Sequence, residues 1–443
     1  MTSRKFLFLQ GVATPFFRKL GEAIQENGYE VFRVNFCGGD RWFSPNHNTW
    51  HFKAALEQLP AWLEEKHQQH RFTDIVLFGD TRPIHLQALP LFKRLGLSIH
   101  VYEEGYFRPD WITLEQNGVN GYSRLLCKDP AFWQQNSTEA LKTAHPIGKN
   151  FLSRAWHDAC YRLANAVFSP AYPHYETHRP FKAYREYLGW AKRMPNNKLW
   201  REHWERTKIQ RLIASNQAYY LLPLQLDSDA QIRVHSPFSS VQQVIVTVMA
   251  SFAKFAPADS ILVIKNHPLD TGLLKHAQKV KQVAKTLNLS ERVLFLETGH
   301  LPTLLQHTKG TVLVNSTTGT SALHHGSPTL ALGTALFDIP GLTFQEGLDR
   351  FWQEGQAADQ TLFSQFRQRV IQDTQINGDF YSRKGIQLAI DGSLVAMQIT
   401  PQITKTAPIL TPVPTTLPHT LTTPAKLIYG GKLPETSYLY KER

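Results

Sequence analysis

A repeated alternation constrains this chain most: short apolar runs rich in β-branched and aromatic residues, each followed by an amphipathic stretch. "KFLFL" leads through a turn at Gly11 into "PFFRKLGEAIQENG", whose Gly28 suits a helix end. "YEVFRVNF", a Gly-Gly loop and the helical "WHFKAALEQLPAWLEEKHQ" follow, then "TDIVLFG", a helix from about Ile84, and "LSIHVYEEG". Such alternation specifies a parallel sheet with helices on both faces. A second series starts near residue 216. There "QAYYLLPLQ", "DSILVIKNHP", "RVLFLE", "GTVLVNS" and "PTLALG" read as strands, with helical stretches at about 240–256, 272–287, 301–308 and 319–325. At 443 residues the chain exceeds one ordinary core. The expected fold is α/β: two Rossmann-like, doubly wound domains, 1–150 and 214–350, facing a central cleft. Residues 151–213 lie between them, closing helices occupy 351–399, and a tail runs over 400–443.

Composition narrows the partners. With 42% hydrophobic and 19% charged residues, the chain is globular. Lys plus Arg exceeds Asp plus Glu by 48 − 36 = 12, which predicts attraction to nucleic acid, an acidic sugar nucleotide or a phospholipid surface. The excess gathers between the two series: residues 152–211 carry 12 Lys/Arg against 5 Asp/Glu. The same stretch holds eleven aromatics, among them Trp156, Tyr161, Tyr172, Trp190, Trp200 and Trp204. Interleaving of this kind suits nucleic acid or an anionic membrane surface, and equally an ordinary basic helical linker.

Cys37, Cys127 and Cys160 lack metal-ligand spacing, which argues for a reducing compartment and against a disulfide framework or zinc site. The opening "MTSRKFLFLQ" has an apolar part, "FLFL", shorter than the roughly 7–15 residues of a signal peptide. No run reaches the ~18 apolar residues of a membrane span. A cytoplasmic protein is expected. Six prolines and nine threonines between Thr400 and Lys426 mark a tail expected to be extended or flexible.

Chemistry-bearing residues gather at the carboxyl ends of the expected strands, where open α/β sheets bind ligands. "HVYEEGYFRPDWITLE" ends an apolar run in Glu103-Glu104-Gly105, although Glu103 also reads as part of a solvated face. "ILVIKNHP" stops at Pro268, which cannot continue a ladder, leaving Lys265 and His267 at the edge. An imidazole there can donate to a phosphate or protonate a leaving group near neutral pH, and a lone His also serves structurally. "TVLV" runs into Asn315-Ser316-Thr317-Thr318-Gly319 and then a helix. Hydroxyls and backbone N–H groups placed so favour a phosphate; a single one would be plain N-capping. Neither a Walker A pattern nor G-x-G-x-x-G occurs, which weighs against ATP hydrolysis and ordinary dinucleotide binding. Asp227 and Asp229 follow "YYLLPLQL" and suit a divalent ion, Asx-turns, or an aspartate attacking an anomeric carbon. In the first series Gln10, Gly11, Asn35, Gly38, Gly39 and Asp40 sit in or beside loops that follow strands, expected to face the cleft and an acceptor.

Five motifs together, "FLQG…PFFRKLGEAIQENGYEVFRVNFCGGDRWF", "EEGYFRPDWITLE", "LPLQLDSDAQI", "KNHP" and "NSTTGTSALHHGSPTLALG", resemble in order the capsule polysaccharide proteins of the KpsS/LipB type, over roughly residues 5–390. The resemblance implies a GT-B-like transferase that moves Kdo (3-deoxy-D-manno-oct-2-ulosonic acid) from CMP-Kdo to a phosphatidylglycerol-type lipid. That step starts the β-Kdo linker of Gram-negative capsular polysaccharide. It implies work on the cytoplasmic face of the inner membrane, beside other capsule synthesis and export proteins, with no nucleic acid or cofactor, and a donor whose single phosphate makes a metal less necessary. The basic 152–211 segment would then meet anionic headgroups, in a binding weakened by salt.

Gln225 and Asp229 match a Gln-x-x-x-Asp spacing whose aspartate is the nucleophile of retaining β-Kdo transferases. His267-Pro268 resembles the motif that holds a CMP phosphate, with Lys265 as neighbour. Ser316 and Thr317 match its accompanying hydroxyls, followed by Thr318 and Gly319. Glu104 falls in an acidic-acidic-Gly motif where sialyltransferases keep a catalytic carboxylate, and burial is expected to raise its pKa. Glu103 and Arg108 are expected on the acceptor side. The competing expectations are a sialyltransferase-like or other nucleotide-sugar enzyme, such as an epimerase, and a non-catalytic capsule-export scaffold.

Overall fold

The strand–helix alternation resolves into two sheets of one topology. A computed structural model of the chain describes residues 4–44, 48–134, 142–148, 151–177, 183–196, 201–227 and 229–401. In the first lobe β1 (Lys5–Phe8), β2 (Glu30–Asn35), β3 (Thr49–His51), β4 (Asp74–Phe78), β5 (Ser98–Glu104) and β6 (Trp111–Gln116) lie in the order β6-β5-β4-β1-β2-β3. In the second, β7 (Tyr219–Pro223), β8 (Ile261–Lys265), β9 (Val293–Leu296), β10 (Gly310–Leu313) and β11 (Thr329–Ala331) lie in the order β11-β10-β7-β8-β9. Counted from the first strand of each, both run 3-2-1-4-5 with parallel pairing, the doubly wound Rossmann order. β6 then turns back antiparallel to β5, and β12 (Gln375–Asn377) closes the edge antiparallel to β6.

Side-chain alternation divides the first core between the two sheet faces. Phe6 and Phe8 of β1 pack with helices Phe16–Glu26 and Arg383–Ala396 on one face. Leu7 and Leu9 pack with helices Leu59–His70 and Pro83–Arg94 on the other. β4, "DIVLF", is buried throughout, as a central parallel strand must be. The lobes meet through a separate apolar cluster in which Tyr106, Leu125 and Trp133 pack with Leu313, Leu323, Phe337 and Phe366. The layout is that of a two-lobed GT-B fold, with the chain returning to its first lobe at the end.

Two expectations change, and two further segments make contacts that the sequence did not specify. "WHFKAALEQLPAWLEEKHQ" is not one helix: Trp50 stacks on Phe32 with centroids 5.2 Å apart, holding β3 beside β2, and the helix begins at Leu59. The Gly-Gly loop is a short helix, Gly38–Phe43. The closing segment serves both lobes. Trp352 packs edge-on against Tyr220 in the second, whereas Ile376, Phe380, Ile386 and Ile390 fill the first. Within residues 151–213, helix Phe151–Val167 packs on the first lobe through Tyr161 and Asn165, and helix Ala183–Asn196 reaches the second through Trp190 and Arg193. Trp200 and the tail beyond Pro401 lie outside the described residues. No described helix is long and apolar enough to cross a membrane.

Candidate active site

In each sheet the order reverses at one point, between β1 and β4 and between β7 and β10, and ligand crevices open there. Side chains tie the loops across both points. Arg82 donates to Gln10 Oε1 at 3.2 Å and to the Gly11 carbonyl at 2.8 Å. Gln225 Nε2 donates to Asn315 Oδ1 at 3.1 Å, and the Asn315 N–H returns to Gln225 Oε1 at 3.4 Å. Gln225 is therefore a positioning residue, its carboxamide committed to Asn315.

The two aspartates after β7 separate by role. Asp227 Oδ1 accepts the N–H of Val241, first residue of helix Val241–Phe255, at 3.0 Å, and its other oxygen lies 3.4 Å from Arg233. That carboxylate is a helix cap. Asp229 Oδ1 accepts the Gln231 N–H at 3.0 Å. Burial pushes the Asp229 pKa up, against that hydrogen bond and the pull of Arg108 from the other lobe.

At the end of β5 the two glutamates titrate in opposite directions. Glu104 Oε1 accepts the Tyr381 hydroxyl at 2.5 Å and lies 3.4 Å from Arg154. Burial alone would raise its pKa, but Arg108, Arg154 and the Tyr381 hydrogen bond outweigh it, and Glu104 is held below the usual carboxylate range. Glu103 accepts the Glu104 N–H at 2.9 Å. Burial and the neighbouring Glu104 charge push it up to about 7. The raised pKa expected of Glu104 belongs to Glu103.

His267 follows β8, and its Nδ1 accepts the Leu269 N–H at 3.1 Å, which leaves the neutral ring's proton on Nε2. Burial, Lys265, Arg108 and Arg154 push its pKa down to about 4, with Asp270 opposing. At neutral pH the ring is an uncharged hydrogen-bond donor, which corrects the expectation of an acid titrating near neutrality. Lys265 is buried, donates to the Asn266 carbonyl at 3.3 Å, and has its pKa lowered by burial. Pro268 lies exposed in the turn that follows.

After β10, Ser316 Oγ accepts the Thr318 N–H and donates to Thr318 Oγ1, both at 3.1 Å, while Thr317 makes no side-chain cap bond. Thr320 Oγ1 donates to the Thr317 carbonyl of its own turn at 2.8 Å, with the Tyr106 carbonyl of the first lobe 3.3 Å away. Gly319 is needed for packing, since a Cβ there would lie 2.2 Å from the Phe337 ring.

The acceptor loops of the first lobe are not open. Gln10, Asn35 and Asp40 are buried, Gln10 and Asp40 against Tyr161 of helix Phe151–Val167 and Asn35 against the Ser44 carbonyl. Tyr161 donates to Asp40 Oδ1 at 2.9 Å, and Asn165 Oδ1 accepts the Gly39 N–H at 2.6 Å. A Cβ at Gly38 would lie 2.2 Å from the Ala164 carbonyl oxygen, and one at Gly39 2.4 Å from the Tyr161 ring. Gln10, Gly38, Gly39 and Asp40 seat a helix, and Gly11 offers its carbonyl to Arg82; Arg108 bears on Asp229 and His267 of the second lobe, whereas Glu103 answers to Glu104, Arg82 and Arg108 of the first.

Arg154 and Tyr381 were missed because no local pattern links them to Glu104; the one signal was the arginine excess in 152–211. Part of that basic charge is paired within the fold. Arg162 lies 2.8 Å from Asp158 and 2.6 Å from Glu186, Arg193 meets Asp270 and Glu297, and Arg201 lies 3.1 Å from Glu297. Among the described residues no group of three or more His, Cys, Asp or Glu is arranged to hold a metal ion.

Fold and cleft define a two-lobed GT-B protein in which cations and carboxylates of both lobes act on one another. The chain belongs to the capsule polysaccharide biosynthesis protein family, whose profile matches residues 73–381. It is 36% identical over 382 residues to the capsule polysaccharide export protein KpsS of Escherichia coli, covering 86% of this chain and 98% of that one. It is 34% identical over 390 residues to the capsule polysaccharide modification protein LipB of Neisseria meningitidis serogroup B, covering 86% and 93%. Among solved structures, a KpsC β-Kdo 2,7 transferase from Thermosulfurimonas dismutans aligns with a TM-score of 0.40 at 10% identity, over 88% of this chain and 99% of that one. A putative UDP-N-acetylglucosamine 2-epimerase from Listeria monocytogenes aligns with a TM-score of 0.30 at 11% identity, over 90% and 96%.

Proposed function

We propose that the protein is a glycosyltransferase of capsule synthesis that moves Kdo from CMP-Kdo to a phosphatidylglycerol-type lipid at the cytoplasmic face of the inner membrane. One observation carries this reading. Lys265, Arg108 and Arg154, from three separate parts of the chain, all bear on His267, and the same Arg108 bears on Glu104 and Asp229. Cations around a neutral donor imidazole suit a phosphate; carboxylates beside them suit glycosyl transfer.

In this reading His267 Nε2 and the hydroxyls of Ser316 and Thr317 hold the CMP phosphate, and Arg108 and Arg154 offset its charge. The Asp229 carboxylate attacks the anomeric carbon as the carbon–phosphate oxygen bond breaks, and CMP departs with that electron pair. Burial raises the Asp229 pKa, and the Gln231 N–H and Arg108 offset part of that rise toward the ionised form that attack requires. The acceptor hydroxyl then displaces Asp229 from the same carbon, and its proton passes to the Glu103–Glu104 pair. Two displacements restore the starting configuration.

The donor is tested by incubating the purified chain and phosphatidylglycerol with CMP-Kdo, CMP-sialic acid or UDP-GlcNAc. Consumption of CMP-Kdo alone is expected. Turnover of UDP-GlcNAc or CMP-sialic acid in its place sinks the assignment, and inertness toward all three points to an export scaffold.

A further inference from the structure

Helix Phe151–Val167 turns three different faces outward, set by its 100° step per residue. Arg154, Tyr161, Ala164 and Asn165 face the first lobe, where they meet Glu104, Asp40, Gly38 and Gly39. Asp158 and Arg162 face helix Ala183–Asn196, with Tyr187 donating to Asp158 at 3.2 Å and Arg162 to Glu186 at 2.6 Å. The third face carries Leu152, Trp156, Leu163 and Val167, which fall within a narrow arc and are 82%, 69%, 67% and 62% exposed. At its carboxyl end the Arg41 guanidinium stacks 4.8 Å over Phe168, and the adjacent Trp42 is also exposed.

We propose that this face docks the protein on an anionic lipid bilayer, with Leu152, Trp156, Leu163 and Val167 entering the interface and Arg41 meeting lipid phosphates. An apolar stripe four turns long with a Trp in it and an Arg-Trp pair at its end is the composition of an interfacial helix. The surrounding segment is basic, 12 against 5, which complements anionic headgroups. A single convex helix ridge offers on the order of a few hundred Å² of apolar surface, short of the roughly 800 Å² per partner of a stable protein interface. Because Arg154, Arg162, Arg193 and Arg201 are paired within the fold, the attachment rests on apolar insertion as well as charge. The inference holds whatever sugar the cleft transfers.

Flotation of the full chain with phosphatidylcholine vesicles, with and without phosphatidylglycerol and at low and high salt, tests it. Wild-type protein is expected to float with the anionic vesicles and to keep part of its binding at high salt. Leu163→Glu and Trp156→Glu are each expected to weaken binding at least about tenfold, with unchanged thermal midpoints. Brominated lipid should quench tryptophan emission in the wild type and less in Trp156→Phe, a readout that survives misfolding of the acidic variants. Wild type remaining at the bottom of the gradient, or acidic variants floating like wild type, would overturn the proposal. So would a concentration-dependent dimer by light scattering that Leu163→Glu dissociates, since the face would then belong to a second copy.

Discussion

The guanidinium of Arg154 stands 3.4 Å from the carboxylate of Glu104, and the Tyr381 hydroxyl donates to the same carboxylate oxygen. Arg154 also lies 4.7 Å over the Tyr381 ring. Three residues from the middle segment, the end of β5 and the returning chain thus meet at one atom. Their union keeps Glu104 ionised and aims a cation toward the neighbourhood of His267.

Arg154→Ala should lower turnover on the order of 10²-fold, the loss typical of one electrostatic contact in an active site. Its thermal midpoint should stay close to wild type, because the Arg154 side chain is 44% exposed and such ion pairs contribute little to stability. Arg154→Lys should restore part of the activity, as it keeps the charge without the planar fork. Steady-state kinetics beside a thermal melt separates these outcomes.

The pH–rate profile should rise through about 7 as Glu103 ionises, and Glu103→Gln should flatten that limb. Stability moves the other way. A carboxyl whose folded pKa is raised stabilises the fold fully below its unfolded value and loses that contribution as pH climbs through about 7. The midpoint of Glu103→Gln should therefore gain on wild type between about pH 5 and about pH 8, by differential scanning fluorimetry.

Asp227→Ala and Asp229→Ala should part company. Removing the Asp227 cap on helix Val241–Phe255 costs ~1 kcal/mol of stability and leaves most of the turnover. Asp229→Ala should reduce turnover by on the order of 10⁴-fold or more. It should keep its stability, since it removes a carboxylate that burial disfavours. Equal activity in the two variants contradicts the division of roles.

Acid sensitivity should trace to Asp74, buried in β4 and bonded to His100 at 2.8 Å and to Arg4 at 2.5 Å. Burial opposes its ionisation, yet His100, Arg4 and Thr73 together hold its pKa at about 2. The stability it contributes is present above its unfolded pKa and lost as pH falls toward about 2. Asp74→Asn should cost on the order of 2–4 kcal/mol near neutrality and flatten the acid limb of the unfolding curve.

The Rossmann halves were legible because short continuous apolar runs and strand-end breakers are written locally: "DIVLF", "ILVIKNHP" and "TVLVNSTTG" each declare a buried strand and its end. The candidate cleft residues were legible as motifs, but their states were not. Glu103 and Glu104 look alike in sequence and diverge only because β5 turns one toward Arg154 and Tyr381. Gly38 and Gly39 read as a loop because the helix that needs their missing side chains lies more than a hundred residues away. β12 is three residues long, and the β6 residues it pairs with, such as Thr113 opposite Gln375, lie far off in the sequence.

The central claim is tested most directly by mass spectrometry and NMR of the lipid fraction after the purified chain meets CMP-Kdo and phosphatidylglycerol. The account predicts a lipid carrying one β-linked Kdo, with matching release of CMP, and no such product from Asp229→Ala. An α-linked product, CMP release without any glycolipid, or full product from Asp229→Ala would contradict it.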